Sequence, residues 1–399
     1  MHTNKVKNKS KCSYCGDSPV NHIFAYIGQS LSVYLDPILS PIVGGGSSLL
    51  NKALKYFNLF YVFFSTKIGV LWFGKNINDA KTTRSRVIWE EANRRGIPMQ
   101  QLIIYGKPIE QYRAKIKNKN GKLKWFYFES LPIPPYLPQD NYNFIDDKFL
   151  LKNLLTKNNI PVPRSVSVSK LNEAIDVFKT FTGPVIVKPR VGSRGRHTTV
   201  YINNQDELIK AFKCAEQLCK FVVIEEYLTG SVCRATIVNK KLVGFFVAKA
   251  PSVVGDGSNT IQELINIKNQ NRHPKVDEVV VNVELLEFIE RQGYKLDSVL
   301  ENNKKLQLIH RTGRFFGGET EEFLPKIHPT LKNILEHAGS VVDVPVVGLD
   351  VIIENPQDDP NNQKWGIIEA NSLPFIDLHY WPLYGEPINI ASYVWDLWE

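Results

Sequence analysis

The sequence predicts a mixed α/β (α+β) protein built from more than one unit, on three observations. At 399 residues the chain is longer than a single core ordinarily takes up. Its composition, 43% apolar and 22% charged, is that of a water-soluble globular protein. Short β-branched apolar runs alternate with longer stretches of helical period that stop at Gly or Asn.

Residues 1–48 read as irregular, with SPIVGGGSS as a joint. The run YFNLFYVFFSTKIGVLWFG, 56–74, has the length of a membrane span, but Ser65, Thr66 and Lys67 interrupt its middle. It reads as the end of a helix followed by the strand IGVLWF, with a membrane-surface role as the alternative. The helix TRSRVIWEEANRRG, stopped by Gly96, and the strand QLIIY complete a strand–helix–strand pattern, so residues 67–143 are expected to form a Rossmann-like unit behind a basic extension, 1–66. LPIPPYLPQD reads as a linker. A third unit is expected over 144–399. Its first part, 144–228, carries the helix DKFLLKNLLTKNN, the strand PVIVKP, the loop RVGSRGRH, the strand TTVYI, the helix QDELIKAFKCAEQL and the strand FVVIEEYL. Its second part, 229–399, is strand-rich, with helices near 260–270, 283–291 and 329–338.

The net charge of +9 is unevenly spread. Residues 1–125 hold 20 Lys and Arg against 6 Asp and Glu, a surplus of +14, so the rest of the chain carries −5. A basic front end suits an anionic partner or substrate, and a solvated surface is the plain alternative. The N-terminus MHTNKVKNKSKC is polar and basic and reads as no secretory signal. Five cysteines in a chain this long make no disulfide framework, so a reducing, cytoplasmic setting is expected. Cys12 and Cys15 have the spacing of half a zinc site, with His22 as a third donor and no second C-x-x-C. Cys214 and Cys219 read as helix core, and His197, His310 and His379 as structural histidines near the candidate segments.

Three segments carry chemistry. In PVIVKPRVGSRGRH, Lys188 ends an apolar strand, and Gly192, Ser193 and Gly195 let backbone N–H groups approach phosphate oxygens. No G-K-[ST] closes the loop, so it is not the Walker pattern, and a plain hairpin turn is the competing reading. FVVIEEYLTG places Glu225, Glu226, Tyr227 and Leu228 at a strand end against which an adenine can rest. In VVGLDVIIENPQDDPNNQKWGIIEAN, two apolar runs carry Asp350, Glu369 and Asn371. If the loop between them makes the strands antiparallel, the three oxygen donors share one face and suit Mg2+. Carboxylates seldom interrupt such runs without a partner, which favours the metal over a solvated strand end.

The order of Lys148 in DDK, Lys188 in VIVKP, GSRGRH, VIEEYL, Asp350 and EAN resembles the ATP-grasp superfamily over roughly 144–399. SVVGDGSNTIQELI (252–265), LDSV (296–299), GGET (317–320) and HYWPLYGEPINIA are similar to segments of cyanophycin synthetases and bifunctional glutathione synthetases. The resemblance implies an ATP-grasp fold behind a pre-ATP-grasp domain. It implies a ligase that uses ATP to activate a carboxylate as an acyl phosphate, which an amine attacks to form an amide or peptide bond. Lys148 and Lys188 would hold the phosphates, residues 225–228 the adenine, and Asp350, Glu369 and Asn371 two Mg2+ ions, with Mn2+ as a substitute. Lys249 would contact phosphate, and Arg311 would meet the transferring phosphate and the acyl intermediate. The implied partners are small-molecule or peptide carboxylates and amines, anionic ones included, with a homo-oligomer left open. A decayed nucleotide-binding scaffold and an ATP-grasp phosphotransferase are the alternatives. Two departures stand out: Val232 occupies the place of a ribose-binding acid, and HRTGRFFGGE lacks the asparagines of the cyanophycin-type substrate loop.

Overall fold

The computed structural model describes residues 12–15, 20–44, 70–117, 121–138, 145, 147–192 and 195–399. The expected helix end before residue 67 and Ser193 lie outside these. The first regular element corrects the irregular reading of the N-terminus, because α1 runs His22–Gly44. It begins where the Asn21 side chain accepts from the amides of Ile23 and Phe24, at 3.1 and 3.3 Å. Gly28, Pro37 and Pro41 hid this helix from pattern reading.

The segment 70–128 corrects the Rossmann-like expectation. β1 (Leu71–Gly74), α2 (Thr83–Arg94) and β2 (Met99–Ile104) do form strand–helix–strand, but β1 and β2 are antiparallel neighbours. A Rossmann crossover needs parallel strands. The chain then reverses at Tyr105 and Gly106, whose φ values of +47° and +74° fit the tight turn favoured by twisted hairpins. It continues as β3 (Lys107–Lys117) and β4 (Leu123–Phe128), giving an antiparallel meander in sequence order.

α3 (Lys148–Lys157) starts at Asp147, whose carboxylate accepts from the Phe149 and Leu150 amides. β5 (Ser165–Val168), α4 (Leu171–Phe178), β6 (Val185–Pro189), β7 (Thr199–Ile202), α5 (Gln205–Ala215) and β8 (Val222–Glu226) follow. Their strands form a sheet in the order β5-β8-β6-β7, and α4 and α5 pack on it through Ala174, Leu208, Phe212 and Ala215. Next come β9 (Ser231–Val238), β10 (Lys241–Ala248), β11 (Ser252–Val254), α6 (Ile261–Gln270), α7 (Val283–Arg291), β12 (Lys305–Gln307) and β13 (Thr320–Glu322). α8 (Pro329–Val342), β14 (Val346–Ile353), β15 (Gly366–Asn371) and α9 (Ile390–Asp396) complete the chain. The second large sheet has the order β13-β10-β9-β14-β15, and α8 covers it through Leu331, Leu335 and Val342. β11 and β12 form a separate ribbon beneath α6 and α7.

The meander and the second large sheet share one core. Val87, Tyr112 and Phe128 pack in the same cluster as Val346, Ile390 and Trp395. Trp395 is 1% exposed, and its indole N–H donates to the Ile88 carbonyl at 3.0 Å. Trp395→Ala is expected to cost about 3–5 kcal/mol, since it opens a cavity and orphans that carbonyl. Urea unfolding checks this; a loss below about 1 kcal/mol would show that α9 does not support this core.

Candidate functional site

An open cleft lies between the β5-β8-β6-β7 sheet and the five-stranded sheet. Lys148, Lys188, Gly192, Gly195, Glu225, Tyr227, Leu228 and Glu369 all line it. Segments far apart in sequence converge there because α3 and the β6–β7 sheet stand over the β14–β15 edge.

The Gly-rich loop is tied at its first end by charge. Arg190 pairs with Asp147 at 2.9 Å, and Lys148 Nζ donates to the Gly192 carbonyl at 2.5 Å. Gly192 has φ +132° and Gly195 φ +63°, conformations that side-chain-bearing residues rarely adopt, so these glycines let the loop backbone turn beside the cleft. Lys148 Nζ also stands 3.7 Å from Glu369 Oε1.

Glu225 lines the cleft, but its carboxylate is spent on lysines. It is fully buried, with Lys188 Nζ at 2.9 Å from Oε1 and Lys152 Nζ at 2.7 Å from Oε2. Burial pushes the Glu225 pKa up, and the two ammonium groups outweigh that and hold it below the ordinary value. Lys152, also donating to the Ile368 carbonyl at 2.9 Å, is a residue that sequence reading missed. The available signal was its place one helical turn after Lys148, on the same face of α3. Burial is the main reason its pKa falls to about 8, opposed by Glu225 and reinforced by Lys188. Glu226 does not join the cleft. Strand alternation turns it to the other face, where it pairs with Lys364. Tyr227 packs edge-on against Tyr201, with ring centroids 5.1 Å apart, and burial raises its pKa to about 12.

β14 and β15 are antiparallel, with Asp350 opposite Glu369 and Gly348 opposite Asn371. Asp350, Glu369 and Asn371 therefore share one face. Arg234, opposite Asp350 on β9, grips both carboxylate oxygens at 2.6 and 3.2 Å. The Asn371 amide donates to Asp350 at 3.1 Å. Burial raises the Asp350 pKa; Arg234 opposes this and Glu369 reinforces it. Arg234 is the second residue that sequence reading missed, since a lone arginine in SVCRATIV gives no hint of the strand opposite. Its Nη1 is buried and has no hydrogen-bond partner among the described residues. Two carboxylates and an amide on one face, one acid held uneasily beside another, fit a hard divalent cation.

Lys249 and Arg311 are not brought to this face. Lys249 is half exposed, 4.0 Å from Glu319, and does not line the cleft. Arg311 pairs with Glu284 at 3.0 Å and lines a neighbouring cavity that shares Gly195, Arg196 and His310 with the first. Val232 does line the cleft, so an apolar side chain stands where a ribose-binding acid was looked for. His379 is structural, as expected: fully buried, it bonds Glu322 at 2.5 Å and the Thr236 hydroxyl at 2.7 Å.

Two antiparallel sheets close on a cleft with two lysines, a Gly-rich loop and a carboxylate strand, the arrangement of an ATP-grasp fold. Residues 147–233 match the family model of the carbamoyl-phosphate synthase L chain, ATP binding domain. The chain is 32% identical over 260 residues to a cyanophycin synthetase of a Synechocystis strain, covering 63% of this chain and 30% of that protein. It is 27% identical over 262 residues to the glutathione biosynthesis bifunctional protein GshAB of Clostridium perfringens, covering 63% of this chain and 34% of that one. The chain thus spans about a third of the length of these curated relatives. The bifunctional glutathione synthetase of Pasteurella multocida shares the fold, with a TM-score of 0.51 and 21% identity over 80% of this chain and 44% of that structure.

The depressed Lys152 pKa has a pH signature. Between about 8 and the ordinary 10.5, unfolded Lys152 holds a proton that the folded chain has lost, so this group makes stability rise with pH across that window. Relative to Lys152→Met, the wild type is expected to gain up to about 3 kcal/mol between pH 7.5 and pH 10.5. Urea midpoints of both proteins at the two pH values check this, and parallel profiles would place the Lys152 pKa at its ordinary value.

Proposed function

We propose that this chain is an ATP- and Mg2+-dependent carboxylate–amine ligase, making an amide or peptide bond through an acyl phosphate. The observation that carries the reading is the meeting of Lys148 and Lys188 with Glu369 across one cleft, with Asp350 and Asn371 on the same face. Phosphoryl transfer asks chiefly for positioning and charge neutralisation. Lys148 and Lys188 would hold the nucleotide phosphates against the Gly-rich loop, and the 225–228 segment would take the adenine. Asp350, Glu369 and Asn371 would hold the divalent cations, which neutralise charge as the phosphoryl group moves. Lys249 and Arg311 would act from the rim, once drawn off Glu319 and Glu284 by an anionic ligand. The names of the relatives, a cyanophycin synthetase and a glutathione biosynthesis protein, support amino-acid or short peptide substrates.

The test is phosphate release with Mg-ATP across pools of amino acids and short acidic peptides, with mass spectrometry of the products. A new amide sustains the ligase; a phosphorylated product without an amide would make the chain a phosphotransferase, and bound nucleotide without turnover a binding protein. Glu369→Gln removes a ligand charge and little volume, so turnover is expected to fall at least about 100-fold in a folded protein. Wild-type turnover in that variant would remove Glu369 from the metal set.

The sugar gives a second prediction. A carboxylate beside the ribose accepts from its hydroxyls in bonds worth about 1.5–3 kcal/mol each, and Val232 cannot. The wild type is expected to use deoxy-ATP nearly as well as ATP. Val232→Asp should prefer ATP by about tenfold or more. A strong wild-type preference that Val232→Asp leaves unchanged would assign the ribose to another residue.

A further inference from the structure

The N-terminal segment carries a second site, distinct from the nucleotide cleft and next to one end of its Gly-rich loop. Cys12, Cys15, His22 and His197 bring two sulfurs and two imidazole nitrogens within 4.8 Å of one another. Two of these residues share a C-x-x-C, the third opens α1, and the fourth comes from the end of the Gly-rich loop, 182 residues beyond Cys15. The geometry points to a structural zinc site, Cys2His2, that fastens the N-terminal segment to that loop.

Three features argue for an ion rather than a chance cluster. The first is spacing. His22 Nε2 lies 3.2 Å from Cys15 Sγ, and His197 Nε2 lies 3.4 Å from Cys15 Sγ and 3.6 Å from Cys12 Sγ. A tetrahedral zinc with sulfur at about 2.3 Å and nitrogen at about 2.05 Å puts neighbouring sulfur and nitrogen about 3.5 Å apart. The second is the tautomer. His197 Nδ1 lies 2.7 Å from the Cys214 carbonyl, so it carries the proton and donates, leaving the Nε2 lone pair toward both sulfurs. This is the outer bond that metal-binding histidines ordinarily make. The third is backbone. His197 holds φ +52°, and its amide donates to the Tyr14 carbonyl at 3.0 Å. The surroundings thus fix a conformation that a histidine adopts at a cost.

The donor set selects the metal. Two thiolates and two imidazoles in a tetrahedron suit Zn2+. A two-iron cluster would seat the cysteines and histidines on different irons, which does not suit sulfur and nitrogen in one another's first reach. With four protein ligands no position stays open, so the site is structural. Its consequence lies in the loop. Gly195 and Arg196, which line the cleft, directly precede His197. Charge pairs fix the loop's first end, and the zinc would fix its second. α1 braces the same region: the Ser30 hydroxyl accepts from the Lys220 amide at 3.0 Å.

The test is metal analysis of the full chain purified without chelator. About one zinc per chain is expected, as a closed four-ligand site requires. The Co2+-substituted protein should show the intense visible bands of a tetrahedral site and thiolate-to-metal charge transfer. Cys12→Ser/Cys15→Ser and His197→Gln are expected to lose the zinc. Cys214→Ser should keep it, because that thiol, 3.7 Å from His197 Nδ1, faces the wrong nitrogen. Where a ligand variant fails to fold, a chelator titration of the wild type replaces it, and release of the metal should lower the melting temperature. Metal-free wild type with freely titrating thiols, a Cys12–Cys15 disulfide, or zinc retained in both ligand variants would each overturn the site.

Discussion

The candidate site hangs on a carboxylate that never meets solvent. Glu225, fully buried on β8, joins Lys188 on β6 to Lys152 on α3, and Lys152 reaches on to the backbone of β15 at Ile368. One acid thereby ties the sheet that carries the Gly-rich loop to the strand that carries Glu369. Removing three charges from water is expensive, and apolar residues of equal volume would serve stability as well or better. What the network supplies is position. Lys188 can present its ammonium at the cleft wall only because Glu225 holds it there. Two cations against one anion also leave an excess of positive charge in a buried place, where burial, reinforced by Lys188, lowers the Lys152 pKa. A phosphate-binding wall is one place where such an excess is useful.

The opposite wall has the reverse balance. Asp350 and Glu369 face each other across β14 and β15, and the chain answers with Arg234 under Asp350 and Lys148 near Glu369. The two walls are linked by α3. Lys148 touches the acidic wall and the loop, and Lys152, one turn later, closes the basic wall. A four-residue spacing on one helix thus sets the charge pattern of the whole cleft.

The parts legible in the sequence were those whose signal is local. Asp350, Glu369 and Asn371 stood out because acids rarely interrupt apolar strands, and the polar loop between them announced antiparallel pairing. Lys188 and the two glycines were visible because a strand ended where a Gly-rich turn began. Lys152, Arg234 and His197 were not, since each is defined by a partner on a distant segment: β15 and β8 for Lys152, β14 for Arg234, and Cys12, Cys15 and His22 for His197. The Rossmann-like expectation failed for a related reason. A strand–helix–strand pattern does not state whether its strands run parallel, and here β1 and β2 pair antiparallel. Glu226 shows the limit in miniature. It belongs to the adenine segment by sequence, yet the two-residue period of a strand turns it outward while Glu225 and Tyr227 face the cleft.

The Gly-rich loop lies between the cleft and the N-terminal cysteine–histidine cluster. Gly192 and Gly195 give the loop beside the cleft backbone freedom, and such freedom costs entropy when the loop is ordered. Fastening both ends removes part of that cost in advance. Arg190–Asp147 and Lys148–Gly192 hold the entry, and His197 holds the exit through Tyr14, Cys214 and the cysteine pair. The N-terminal segment then has a physical place in the molecule beyond its charge: the turn Ser13–Cys15 abuts, through His197, the loop that lines the cleft.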